Sequence, residues 1–210
     1  MNPIRRSLVL AGLAAAPLAA LGQRPRFDYV TLKPEQPVEA QGKVEVIEFF
    51  WYGCIHCYNL EPPLEAWLKK LPADVEFRRV PAVFNDRWAL DAGLFYALEA
   101  LGLLERLHRP LFDAIHNDRL RTDDRAALEQ WLQKQRADGK KVIDTMRSFG
   151  VQGRVRRAAQ LTVAYRIEGT PAMAVHGRYT VSPEQGKPHE SMLATVDHLI
   201  DLTRKQLARK

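Results

Sequence analysis

Val44-Glu45-Val46-Ile47-Glu48-Phe49-Phe50-Trp51-Tyr52-Gly53-Cys54-Ile55-His56-Cys57 is the stretch on which the fold turns. Its first half, Val44 to Phe50, is a short apolar run interrupted by Glu45 and Glu48, the pattern of a strand buried on both faces. Its second half holds the only two cysteines of the chain, separated by two residues, where β-branched and aromatic residues give way to helical spacing at Leu60, Leu64, Trp67, Leu68 and Leu71. A cysteine at a helix start faces unpaired backbone N–H groups and the positive end of the helix dipole, and both favour the reactive thiolate. The spacing therefore predicts a redox-active dithiol, with Cys54 the exposed attacking sulfur and Cys57 the shielded resolving one. His56, between them, is placed to stabilise a Cys54 thiolate by charge or hydrogen bonding.

Other uses of two cysteines fit less well. Structural zinc needs four ligands, and here one Cys pair is accompanied by scattered histidines, so no metal site is expected. Covalent haem attachment requires His after the second cysteine, where this chain has Tyr58. A purely structural disulfide across two residues closes too small a loop to remove much unfolded-chain entropy.

Residues 1–22 read as a secretory signal: Arg5 and Arg6, an apolar Ala-rich segment from Leu8 to Leu21, and Ala20-Leu21-Gly22 before Gln23. Arg5-Arg6 is taken as an ordinary charged start rather than a twin-arginine signal. Removing this segment lowers the formal charge from +6 to +4 on 188 residues, a mild excess interspersed with acids, and no nucleic-acid partner is expected. Export also places the cysteines where disulfides persist, while the chain keeps none for scaffolding.

With 46% hydrophobic residues and no repeat, the mature chain can build an ordinary core. Phe27–Leu32 and Val75–Val83 are further candidate strands, and Pro62-Pro63 is expected to kink or break the helix after the cysteines. Residues 85–165 turn helical, with Pro110 in the first turn of one helix and Thr122 the N-cap of another. Ala172–Val181 reads as a strand containing a turn at His176-Gly177, and a final amphipathic helix carries Met192, Leu193, Val196, Leu199 and Ile200. The fold class is therefore α/β, with residues 23–84 and 166–210 forming a sheet-and-helix unit interrupted by a helical insertion. The dithiol falls at the C-terminal end of a strand, where open α/β sheets place their sites.

On Val46–Phe50, Cys54-Ile55-His56-Cys57-Tyr58, Leu71-Pro72, Gly169-Thr170-Pro171-Ala172-Met173 and Gly177-Arg178-Tyr179, the chain resembles the DsbA-type thiol:disulfide oxidoreductases. The resemblance implies a thioredoxin fold with an inserted helical domain. It implies a cis Pro171 beside the dithiol, with Thr170 offering backbone hydrogen bonds to a bound peptide. It also implies a periplasmic enzyme that needs no cofactor beyond its own disulfide. Expected partners are reduced or unfolded exported proteins and a membrane-bound, quinone-linked DsbB-type oxidase; the protein itself is expected to be a monomer. Disulfide isomerase or reductase, and a non-catalytic peptide-binding chaperone, are the alternatives.

Strand alternation puts Glu48 on an apolar face, which raises its pKa and suits it to exchange a proton with Cys57. Glu45, facing the other way, is expected to be solvated. In the family the buried acid is often accompanied by a lysine on the next strand. Arg79 stands there in this chain and is expected to hold Glu48 more firmly ionised. Ile55 replaces the proline of the best-known members, which leaves the reduction potential open. Trp51 and Tyr52 are candidates for a surface that receives unfolded polypeptide.

Overall fold

The structure, a computed structural model, describes residues 27–183 and 186–208; residues 1–22, read from the sequence as a secretory signal, lie outside them. Five strands, β1 (Val30–Thr31), β2 (Val44–Phe50), β3 (Val75–Pro81), β4 (Ala172–Val175) and β5 (Tyr179–Val181), form one mixed sheet in the order β1-β5-β4-β2-β3. β2 and β3 are parallel, and the other neighbours are antiparallel. Helices α1 (Ile55–Leu68) and α7 (His189–Leu207) pack together, and α2 (Asp86–Ala100), α3 (Leu104–His116), α4 (Arg125–Lys134), α5 (Gly139–Met146) and α6 (Phe149–Ala164) lie in the chain between β3 and β4. This is the α/β architecture with a helical insertion expected from the sequence.

All seven residues of β2 are buried, because both faces of the sheet are covered. Val44 and Val46, with Met173 and Val175 of β4, meet Leu60 and Leu64 of α1 and Val196, Leu199 and Ile200 of α7. Ile47 and Phe49, with Ala172 and Ala174, meet the core of the insertion around Leu94, Phe95 and Leu98. Glu45 is buried as well, contrary to expectation: its carboxylate accepts bonds from Arg78 Nε at 3.1 Å and the Glu39 N–H at 3.2 Å.

Three helix signals resolve differently from expectation. Helix α1 runs through Pro62 and Pro63 without a break. The carbonyls that lose their N–H partners are those of Tyr58 and Asn59, on the partly exposed side of the helix, while Leu60, Glu61 and Leu64 anchor the opposite side. Pro110 lies in the body of α3 rather than its first turn, and the N-cap of α4 is Asp124, which accepts from the Ala127 N–H at 3.0 Å. Thr122 is instead buried, with its hydroxyl bonded to Asp91. β1 is only two residues long, and the β4–β5 turn at His176-Gly177 forms as expected, both residues having positive φ. Gly177 is required there, since a Cβ would lie 2.1 Å from the Gln36 carbonyl oxygen.

Candidate active site

The chain leaves β2 at Phe50, turns through Trp51–Gly53 and enters α1 with Cys54 as its N-cap. Extended backbone at Cys54 turns its sulfur back over the helix start, where it accepts the Cys57 N–H at 3.4 Å. As a thiol, Cys54 donates to the Thr170 carbonyl at 3.2 Å, so a residue 116 positions away closes the site. The Thr170–Pro171 bond is cis. Both cysteines are free; Cys54 is half-buried and Cys57 fully buried.

Their surroundings separate the two sulfurs. The Cys57 thiol, hydrogen-bonded to Cys54, does most to bring the Cys54 pKa down to about 5; the Thr170 side chain and the N–H groups of Cys57 and His56 add to it, against partial burial. Burial pushes the Cys57 thiol well above the ordinary cysteine range, helped by the Cys54 charge. His56 thus acts on Cys54 through its backbone. Its imidazole is exposed and faces the His189 ring, 6.1 Å away between centroids.

Behind Cys57 lies a buried charged cluster. Glu48 pairs in register with Arg79 of β3, whose Nε is 3.0 Å from Glu48 Oε2, but no N–H of the described residues is aligned on either Glu48 oxygen. Arg79 Nη2 instead donates to both oxygens of Glu61 on α1, at 3.3 and 3.2 Å. Glu61 also faces Nε2 of the buried His108 on α3 at 3.5 Å, and His108 Nδ1 lies 2.8 Å from the Tyr52 hydroxyl. Desolvation dominates at Glu48 and raises its pKa to about 8 despite Arg79. Glu61 is held below the usual carboxylate range because His108 and Arg79 outweigh its burial. The expectation that Arg79 would hold Glu48 ionised is therefore corrected: the aligned donors of the guanidinium go to Glu61.

Around the dithiol, the Trp51 ring lies over Gly53, where a Cβ would come within 2.4 Å of it. The same ring stacks on Trp88 at 4.3 Å, donates from Nε1 to Asp91 at 2.8 Å and is half-buried. Tyr52 is buried. The exposed apolar side chains nearest in sequence to this rim are Ile55 and Phe84, the latter edge-on to Trp88. No group of three or more His, Cys, Asp or Glu among the described residues is arranged to hold a metal ion.

The structure thus brings together Cys54, Cys57, Thr170, Glu48 and Arg79, as the sequence suggested, and turns the His56 ring outward. Glu61 and His108 were not anticipated. Each carries a readable signal: Glu61 follows Cys57 by four residues and precedes Leu64 by three on an apolar helix stripe, and His108 occupies the stripe Leu104, Leu111, Ile115. A polar residue on such a stripe is buried and needs a partner.

Comparison with known proteins agrees with this fold. A family model described as a DSBA-like thioredoxin domain matches residues 73–189, more than half of the chain. The thiol:disulfide interchange protein DsbA of Azotobacter vinelandii is 37% identical over 96% of this chain and 99% of its own length. The protein of the same name from Burkholderia cepacia is 41% identical over 90% of this chain and 89% of its own. Among solved structures, Pseudomonas aeruginosa DsbA superposes with a TM-score of 0.81 at 36% identity, covering 88% of this chain and 95% of that one. Reduced DsbA1 from Neisseria meningitidis gives 0.75 at 32% identity, covering 90% and 97%.

Proposed function

The chain belongs to the DsbA family of thiol:disulfide oxidoreductases, and from that premise we propose that it is a periplasmic oxidase that donates its Cys54–Cys57 disulfide to newly exported, reduced proteins. A substrate thiolate attacks Cys54 Sγ, a substrate–Cys54 bond forms, and the Cys54–Cys57 bond breaks with its electron pair passing to Cys57. Cys57, buried and poorly disposed to hold charge, takes a proton from Glu48. A second substrate thiolate then attacks the substrate sulfur of the mixed disulfide, and Cys54 leaves as a thiolate. The substrate loses two electrons and the enzyme ends as the dithiol. A quinone-linked DsbB-type membrane partner would take those electrons and restore the disulfide, so no bound cofactor is needed.

The observation that carries the direction is the set of donors around Cys54. Stabilising the leaving thiolate stabilises the reduced enzyme, and by linkage this makes its disulfide the stronger oxidant. His56 contributes through its backbone N–H, Thr170 lines the peptide-binding edge beside Pro171, and residues 85–165 form the helical insertion over the site. Oxidation of a reduced, unfolded polypeptide tests the mechanism: it should be lost in Cys54→Ser, and activity retained there would overturn it. Equilibration against glutathione gives the reduction potential. A value more oxidising than that couple supports the oxidase, and a thioredoxin-like value supports the reductase.

A further inference from the structure

Glu48 and Glu61 share one guanidinium. Two buried carboxylates around a single positive charge favour retention of one proton between them, because burying a second uncompensated anion is costly. Which carboxylate keeps it depends on the donors each one meets. Glu61 receives both aligned Arg79 bonds and faces His108; Glu48 has the Arg79 charge beside it and no aligned donor among the described residues. His108 Nδ1 lies 2.8 Å from the Tyr52 hydroxyl; where Nδ1 accepts from that hydroxyl, the hydrogen is on Nε2, which lies 3.5 Å from Glu61 Oε1 without an aligned bond and so acts on Glu61 by its polarity. Glu61, Arg79 and His108 also line an open cleft of about 330 Å³ between α1, β3 and α3, whereas Glu48 is fully enclosed. The anionic carboxylate is thus the one that meets the aligned donors.

We propose that Glu61 and His108 are positioning residues of the redox step: by drawing the Arg79 donors and the negative charge to Glu61, they leave the shared proton on Glu48, where Cys57 needs it. This rests on the oxidase mechanism above and adds two residues to it, Glu61 on α1 and His108 on α3. The charged and titratable groups around Glu48 are Arg79 on β3, Glu61 and the two cysteines on α1; Tyr52 and His108 stand behind Glu61, and Glu65 acts on His108 from α1. Met173, opposite Glu48 on β4, carries no charge.

The test follows the Glu48 carboxyl by carbon-13 NMR of glutamate-labelled, disulfide-bonded protein, in which no thiol titrates; Glu48→Gln identifies the resonance. In Glu61→Gln the Arg79 charge serves Glu48 alone, so its midpoint should fall by about one unit or more. In His108→Phe the proton is drawn toward Glu61, and the Glu48 midpoint should fall by a smaller amount. A purely structural role for either residue would leave this midpoint in place. An unmoved or raised midpoint in either folded variant overturns the proposal. Peptide oxidation by the unsubstituted protein, assayed alongside, reports separately on the oxidase mechanism.

Discussion

Glu48 in the sheet and Asp91 in the first helix of the insertion are equally inaccessible, and burial pushes both above the ordinary carboxylate range, yet their partners are opposite in kind. Asp91 accepts from Trp51 Nε1, from the Thr122 hydroxyl and from Arg87, so its oxygens are satisfied by aligned donors. Glu48 has a charge beside it and no aligned donor among the described residues. The Asp91 cluster is a fastening: it ties the Trp51 ring, which covers the loop before Cys54, to α2 and the segment after α3. The Glu48 cluster leaves a carboxyl able to change its protonation next to a sulfur that must change its own. Burial alone does not distinguish the two acids; the hydrogen-bond inventory does.

Substitution should separate them most sharply in rate. Glu48→Gln removes the proposed proton donor to Cys57, and opening of the disulfide by a reduced peptide should slow about a hundredfold at neutral pH, measured by stopped-flow fluorescence. A rate within twofold of the original would remove Glu48 from the chemistry and make the two acids alike.

The next effect is on stability. Asp91→Ala strands the Trp51, Thr122 and Arg87 donors and should cost about 2–3 kcal/mol in denaturant unfolding. Glu48→Gln should behave in the opposite sense. The folded-state pKa of Glu48 is raised, so the native protein holds a proton that the unfolded chain releases, and stability is lost as pH rises from about 4.5 toward 8. The glutamine variant lacks this loss and should gain on the original protein by on the order of a few kcal/mol across that window. Parallel curves for the two proteins would refute the assignment.

The sulfurs provide a third and smaller contrast. Cys54 has a depressed folded-state pKa, so its thiolate contributes stability to the reduced protein that is full above pH 9 and lost as pH falls through about 5. Unfolding of reduced and oxidised protein should therefore show the reduced form favoured at neutral pH, with the difference shrinking toward pH 5. Least affected should be His56→Ala: because that residue acts on Cys54 through its N–H, the thiolate absorbance midpoint should move by less than about one unit. A larger shift would return the imidazole to the site.

Much of the fold was legible because it is local. The limits of β2, the helix start at the cysteines and the start of α2 behind Asn85 follow from apolar periodicity and capping side chains within a few residues of each boundary. Local rules failed where tertiary partners overrode them. Pro62 and Pro63 sit within an unbroken helix held by buried neighbours, Thr122 is taken from its expected cap by Asp91, and Glu45 is drawn inside by Arg78.

The sequence by itself determined a dithiol at a strand–helix junction in an α/β chain, since two cysteines three positions apart and one helix start suffice for that. Only the tertiary structure decided which buried acid carries charge. Positions 48, 61, 79 and 108 come from four different elements, and the state of each carboxylate depends on donors and burial that exist only once those elements are packed together.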